Sequence, residues 1–89
     1  MKNKLLIIGA SGHGKVLADI AIKMNKWESI VFLDDDKRIK SQMELNVIGT
    51  SDKVLEYIDE YDIFIGIGDN ATRQRIQEKL EAANANIPV

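Results

Sequence analysis

A small α/β domain with a parallel sheet is the fold this 89-residue chain predicts, and three observations carry that expectation. First, Leu5–Ile8 is an unbroken apolar run that meets glycines at Gly9, Gly12 and Gly14 and is followed by apolar residues at helical spacing. Such a run, rich in Ile and ending on glycine, reads as a strand buried on both faces. Second, Ser29–Leu33 and Asp62–Ile67 are two further β-branched and aromatic runs, each closed by short polar residues. Third, the strand-like runs alternate with helix-like segments, the pattern of parallel strands joined by crossovers with helices on both faces.

Taken in order, Lys4–Ile8 is the first strand and Gly9–Gly14 the turn. A helix from His13 or Gly14 to about Met24 follows, with Val16, Leu17, Ile20, Ala21 and Met24 as its apolar stripe and Asp19 and Lys23 on its wet side. Asn25 and Lys26 close it, asparagine tolerating the left-handed cap conformation. Ser29–Leu33 is the second strand and runs into three acids, Asp34, Asp35 and Asp36. Lys37–Glu44 is charged, with weak apolar spacing, and reads as a loop with room for one helical turn; Val47–Gly49 is a short extended piece. Thr50, Ser51 and Asp52 are good N-cap types ahead of Val54, Leu55 and Ile58, which predicts a second helix over about Ser51–Glu60. Asp62–Ile67 is the third long strand, and Gly68, Asp69 and Asn70 lead into a helix from about Ala71 to Ala83 with Ile76, Leu80 and Ala83 facing in. Pro88 and Val89 read as the start of a further strand.

Composition narrows the function. A hydrophobic content of 45% with 29% charged residues suits one globular core. No apolar run approaches the roughly 20 residues of a membrane helix, and the apolar stretch after Lys2 and Lys4 is too short for a signal sequence. It reads as the first strand of a cytoplasmic protein. With no cysteine and one histidine, the chain has no thiolate metal site and argues against catalytic zinc. A net charge of −2 without a basic patch argues against nucleic acid as a partner.

The strand–glycine turn–helix unit directs unpaired backbone N–H groups and a helix dipole at one spot beyond the strand's carboxyl end. Anions, phosphate above all, bind at such spots. In parallel sheets ligands sit outside the carboxyl ends of the strands, and here those ends carry Gly9–Gly14, Asp34–Asp36 and Gly68–Asn70. A nicotinamide-dinucleotide site is one reading. The spacing Gly9-x-x-Gly12-x-Gly14 is not GxGxxG, whereas Asp34, 20 residues past Gly14, fits a ribose-binding acid. A P-loop is another: Gly9-x-x-x-x-Gly14-Lys15 matches, but Val16 stands where a serine or threonine must hold magnesium.

A third reading rests on several segments together. GASGHGKV at Gly9–Val16, FLDDD at Phe32–Asp36, VIGT at Val47–Thr50, IGIGDN at Ile65–Asn70 with Arg73 beyond it, and the closing NIPV resemble the N-terminal domain of bacterial sugar O-/N-acetyltransferases of the sialic-acid O-acetyltransferase and UDP-4-amino-sugar N-acetyltransferase type. The resemblance covers the whole chain. It implies a Rossmann-like three-layer domain, residues 1–89, with a parallel sheet of about four strands, that binds a UDP-sugar or other nucleotide-sugar in surface-glycan biosynthesis. Members of that family continue into a left-handed parallel β-helix that forms homotrimers, binds acetyl-CoA and supplies the catalytic histidine. That domain is absent from this sequence, so no catalytic residue, metal or cofactor is expected in it, and the full-length enzyme is expected to use acetyl-CoA. A non-catalytic nucleotide-sensing module or an NAD-type domain is the alternative.

The expected substrate-binding residues are Gly9, Ser11, Gly12, His13, Gly14, Asp34, Asp35, Gly68, Asp69 and Asn70. The glycines permit close backbone approach and left-handed turns, and equally a βα corner without a ligand. Ser11, Gly12 and His13 offer N–H groups to a pyrophosphate, with His13 assigned to binding rather than catalysis. Asp34 and Asp35 are expected at the ribose or base, although three adjacent acids also read as a solvated loop. Gly68, Asp69 and Asn70 are expected near the sugar or uracil, and Asp69 or Asn70 serves equally as the helix N-cap. Trp27, Lys15, Lys37 and Arg73 read as surface residues.

Overall fold

A computed structural model describes Lys2–Ile87; the strand expected from Pro88 and Val89 lies outside the described residues. The elements are β1 (Lys4–Ile8), α1 (His13–Met24), β2 (Ser29–Leu33), β3 (Ser41–Gln42), β4 (Leu45–Gly49), a 3-10 helix (Ser51–Glu56), β5 (Tyr61–Ile65) and α2 (Asn70–Ala82). They form one sheet in the order β3-β4-β2-β1-β5. Four strands are parallel and β3 pairs antiparallel with β4, so the fold is Rossmann-like, with a two-residue antiparallel edge added to the four expected strands.

Strand β1 is central, with Leu6 beside Val31 of β2 and Ile63 of β5. Alternation sends its side chains to two cores. Leu5 and Ile7 pack with Phe32, Ala18, Ala21 and Trp27 under α1. Leu6 and Ile8 pack with Leu33, Ile63, Val54 and Leu80 under the 3-10 helix and α2. Both faces of β1 are therefore dry, which is why Leu5–Ile8 is apolar throughout rather than alternating. Fully burying each such aliphatic side chain stabilises by about 1.5–3 kcal/mol.

Helix α1 differs from the expected stripe. Its buried face is Gly14, Ala18 and Ala21, with Leu17 half-buried, while Val16, Ile20 and Met24 stay 56%, 47% and 39% exposed. The cause is backbone contact at its first turn. A Cβ on Gly14 would overlap the carbonyl of Gly9, so the helix sits nearly on the sheet and only small residues fit beneath it. Asn25 ends α1 in the left-handed conformation expected of it, with φ 54°.

The second helix is shorter than expected. Ser51–Glu56 forms a 3-10 helix, and turns through Tyr57 close the gap to β5. At three residues per turn, Val54, Tyr57 and Ile58 face the core and Leu55 faces water. The loop expected over Lys37–Glu44 contains β3 and a two-residue turn at Met43 and Glu44, both with positive φ, 54° and 65°. That is a hairpin geometry normally given to Asn-Gly, so the sequence carried no signal for it.

Candidate functional site

The site grows from the end of β1. Gly9 takes φ 98° and Gly12 φ 54°, left-handed values open to glycine at little cost. The Gly14 N–H donates to the Ser11 carbonyl at 3.0 Å and the Lys15 N–H to the Gly12 carbonyl at 3.1 Å. Among the described residues, the N–H groups of Ser11, Gly12 and His13 find no acceptor, and no side chain caps α1. Ser11, Gly12 and His13 are all exposed. The corner therefore presents three adjacent donors and the positive end of α1 to solvent.

Two other strand ends meet this corner. Asp34, just past β2, accepts the Ala10 N–H on Oδ2 at 2.7 Å and the Asp36 N–H on Oδ1 at 2.8 Å. The Asp34 carboxylate is half-buried and adjoins the donor triplet. Past β5, Gly68 lies under the His13 imidazole, where a Cβ would come 3.1 Å from Nδ1. Glycines 9, 12, 14 and 68, Ser11, His13 and Asp34 are thus brought together at one edge of the sheet.

The other expected residues are engaged nearby in local structure. Asp35 is exposed and accepts the Ser51 N–H at 2.8 Å and the Ser51 hydroxyl at 2.9 Å, capping the 3-10 helix from another element. Thr50, read from sequence as a cap, makes no such bond. Asp69 caps α2, accepting the Thr72 N–H at 2.9 Å and the Thr72 hydroxyl at 2.6 Å. The Thr72 hydroxyl, then its N–H, hold the Asp69 carboxyl below the usual carboxylate range. Asn70 Oδ1 accepts from Arg73 at 2.8 Å. Asp36, left out of the expected set, pairs with Arg38, which lowers its pKa to about 2.

Sequence reasoning missed two residues. Gly66 is buried against the corner: a Cβ there would stand 2.8 Å from the Gly14 Cα and 3.0 Å from the Ile8 carbonyl oxygen. Gly9, Gly14 and Gly66 together let the corner settle onto β5. The signal was a glycine inside a strand run, which marks close backbone approach. The second is Asp62, fully buried, whose carboxylate accepts from Trp27 Nε1 at 2.8 Å, Asn86 Nδ2 at 2.6 Å and the Lys2 N–H at 3.2 Å. Trp27 is consequently buried rather than on the surface, edge-on to Phe64 at 5.5 Å between ring centres. No helix of the described chain is long and apolar enough to cross a membrane.

Comparison with known proteins agrees with this fold. The family model of the PglD N-terminal domain matches residues 4–80. Two solved structures of the acetyltransferase domain of PglB from Neisseria gonorrhoeae FA1090 superpose on the chain. One, in complex with acetyl coenzyme A, is 37% identical with a TM-score of 0.86 over 96% of this chain and 42% of that one. The other is 38% identical with a TM-score of 0.89 over 98% of this chain and 43% of that one. The chain thus spans about two fifths of the length of these relatives. By the match across most of its length, with the glycine corner, the β2 acids and the IGIGDN turn inside the matched span, the chain belongs to the PglD N-terminal domain family.

Proposed function

We propose that this chain is the nucleotide-sugar-binding domain, most suited to a UDP-linked amino sugar, of an acetyl-CoA-dependent sugar O-/N-acetyltransferase acting in cytoplasmic steps of surface-glycan biosynthesis. The observation that carries this reading is the triplet of N–H groups at Ser11, Gly12 and His13 without an acceptor among the described residues, next to Ala10, which Asp34 holds, and with the His13 ring against Gly68. Three backbone donors at a helix start suit a diphosphate held without a basic side chain. Support for the acetyl-transfer part comes from the similarity to the PglB acetyltransferase domain.

In this reading Ser11, Gly12 and His13 bind the diphosphate and the Asp34 carboxylate fixes the loop that carries them. The imidazole of His13 over Gly68 borders the sugar side and orients it by hydrogen bonding. Asp35, Asp69 and Asn70 line the rim, where each has capacity for a second partner beyond its present one. Acetyl-CoA supplies an activated acetyl group, and both it and the base that accepts the sugar's proton belong to a second domain, a left-handed β-helix assembled as a homotrimer. This chain binds and orients the acceptor amine or hydroxyl and holds no catalytic residue.

Isothermal titration with UDP, CMP, GDP and NAD tests the reading. UDP is expected to bind tightest. Tightest binding of NAD would replace the acetyltransferase reading with a dinucleotide one.

A further inference from the structure

Strand β5 is an outer strand of the sheet, and a trough runs along it between α1 and α2. The two helices cover opposite faces, α1 over Leu5 and Ile7 and α2 over Leu6 and Ile8. Helix α1 joins two parallel strands and so runs back along β1. Helix α2 runs back along β5, because just after it the Asn86 amide donates to the carboxylate of Asp62, near the start of that strand, at 2.6 Å. Both helices therefore run the same way along the trough.

The α1 wall is apolar. Leu17, Ile20 and Met24 line it, and Ile20 and Met24 are exposed because the close seating of Gly14 turns that face away from the core. Apolar surface grouped in this way marks an interaction site. The α2 wall is polar and ordered by charge. Arg73, Gln77 and Glu81 follow one another at four-residue spacing, all exposed. Among the described residues neither Arg73 nor Glu81 has a salt-bridge partner; they hydrogen-bond the neutral Asn70 and Gln77, at 2.8 and 3.0 Å.

The sequence cation, amide, acid along α2 is complementary to itself when reversed. A two-fold axis normal to the sheet reverses the partner's helices and sets α2 beside the partner's α2. Arg73 then meets the partner's Glu81, Gln77 meets the partner's Gln77, and Glu81 meets the partner's Arg73. The same axis sets α1 beside the partner's α1, with Ile20 on the partner's Ile20 and Leu17 on the partner's Met24. Such mutual exchange of contacts is what an isologous interface requires. A two-fold axis along the strands would instead bring Arg73 against Arg73 and Glu81 against Glu81, like charges that oppose association. The strand edge is not the contact, since the outward Ile63 N–H already donates to the Asn86 carbonyl at 2.9 Å.

We infer that the two helix walls of this trough form a docking surface for a second copy of the chain, related by a two-fold axis normal to the sheet. Apolar contact along α1 supplies affinity, and the Arg73–Glu81 exchange along α2 fixes the antiparallel orientation. The inference rests neither on the nucleotide-sugar reading nor on the trimer expected through a second domain.

Sedimentation equilibrium of the 89-residue chain over a concentration series tests it. The mass is expected to rise from one chain toward two as concentration approaches about 1 mM. Ile20→Asp, at an exposed position, is expected to keep the mass at one chain. Glu81→Arg sets like charges at both ends of the α2 contact and is expected to raise the dissociation constant at least about tenfold. Adding Arg73→Glu exchanges the signs and is expected to restore the dimer. Circular dichroism equal to that of the parent shows each variant folded. A single-chain mass at every concentration would overturn the inference. So would a dimer that Ile20→Asp leaves intact, or one that Glu81→Arg weakens and the exchanged pair does not restore.

Discussion

The Asp34 carboxylate at the end of β2 accepts the main-chain N–H of Ala10 at 2.7 Å, clamping the glycine corner to the neighbouring strand. One residue beyond that bond the N–H groups of Ser11, Gly12 and His13 have no acceptor among the described residues. Asp34 thereby selects which donors the corner consumes and which it presents. Asp34→Ala is expected to cost about 2 kcal/mol of stability, the worth of a charge-assisted bond, in urea denaturation. It should also weaken UDP binding by about tenfold or more, the loss that about 1.4 kcal/mol of disordered corner would produce. Asp34→Asn, which keeps an acceptor oxygen, should lose less of both.

Gly14 and Gly12 separate two uses of glycine. A methyl group on Gly14 would drive into the Gly9 carbonyl, whereas one on Gly12 meets nothing within 4 Å. Gly14→Ala is therefore expected to cost about 3 kcal/mol as overpacking against backbone. Gly12→Ala should cost about 2 kcal/mol, the strain of a φ 54°, ψ −117° backbone alone. Thermal unfolding of the two variants checks the order; equal losses would contradict it.

Asp62 collects Trp27, Asn86 and Lys2 around one buried carboxylate. Asp62→Ala leaves the Trp27 and Asn86 donors without a buried partner and is expected to cost about 3 kcal/mol. The chain has a single tryptophan, so its fluorescence reports both the unfolding midpoint and the altered environment in the folded state.

The capping of α2 by Asp69 carries a pH signature. Thr72 holds the folded-state pKa of Asp69 below its unfolded value, so its contribution is present above the ordinary carboxylate pKa of about 4 and is lost as pH falls through the lower folded value. Asp69→Ala is expected to lower Tm by about 5 °C at neutral pH, and the gap between variant and parent should narrow as pH falls below the ordinary carboxylate range. Asp36 and Asp52, also lowered, titrate in both proteins and cancel from that difference.

The β3–β4 turn is a strained position. Met43 and Glu44 both hold positive φ without being glycine or asparagine. Replacing the pair by Met43→Asn and Glu44→Gly is expected to stabilise the chain by about 1 kcal/mol, measured by urea denaturation. A loss instead would mean that the Met43 side chain holds a contact worth more than the strain.

By itself, the sequence determined the parallel strands β1, β2 and β5, the helices that follow the first and last of them, and the meeting of glycine corner, Asp34 and Gly68 at the strands' carboxyl ends. These are legible because hydrophobic period and glycine placement act locally, over one element at a time. Only the tertiary structure decided the rest. Backbone contact among Gly9, Gly14 and Gly66 set the rotation of α1, turning Ala18 inward beside the expected Ala21 and turning Val16, Ile20 and Met24 outward against the expected stripe. Asp35 became the cap of a helix 16 residues away, and Asp62 became the buried acceptor of a tryptophan 35 residues away. Contacts at such separations leave no periodic trace, because what selects the residue is a neighbour that the chain brings near only once the sheet has formed.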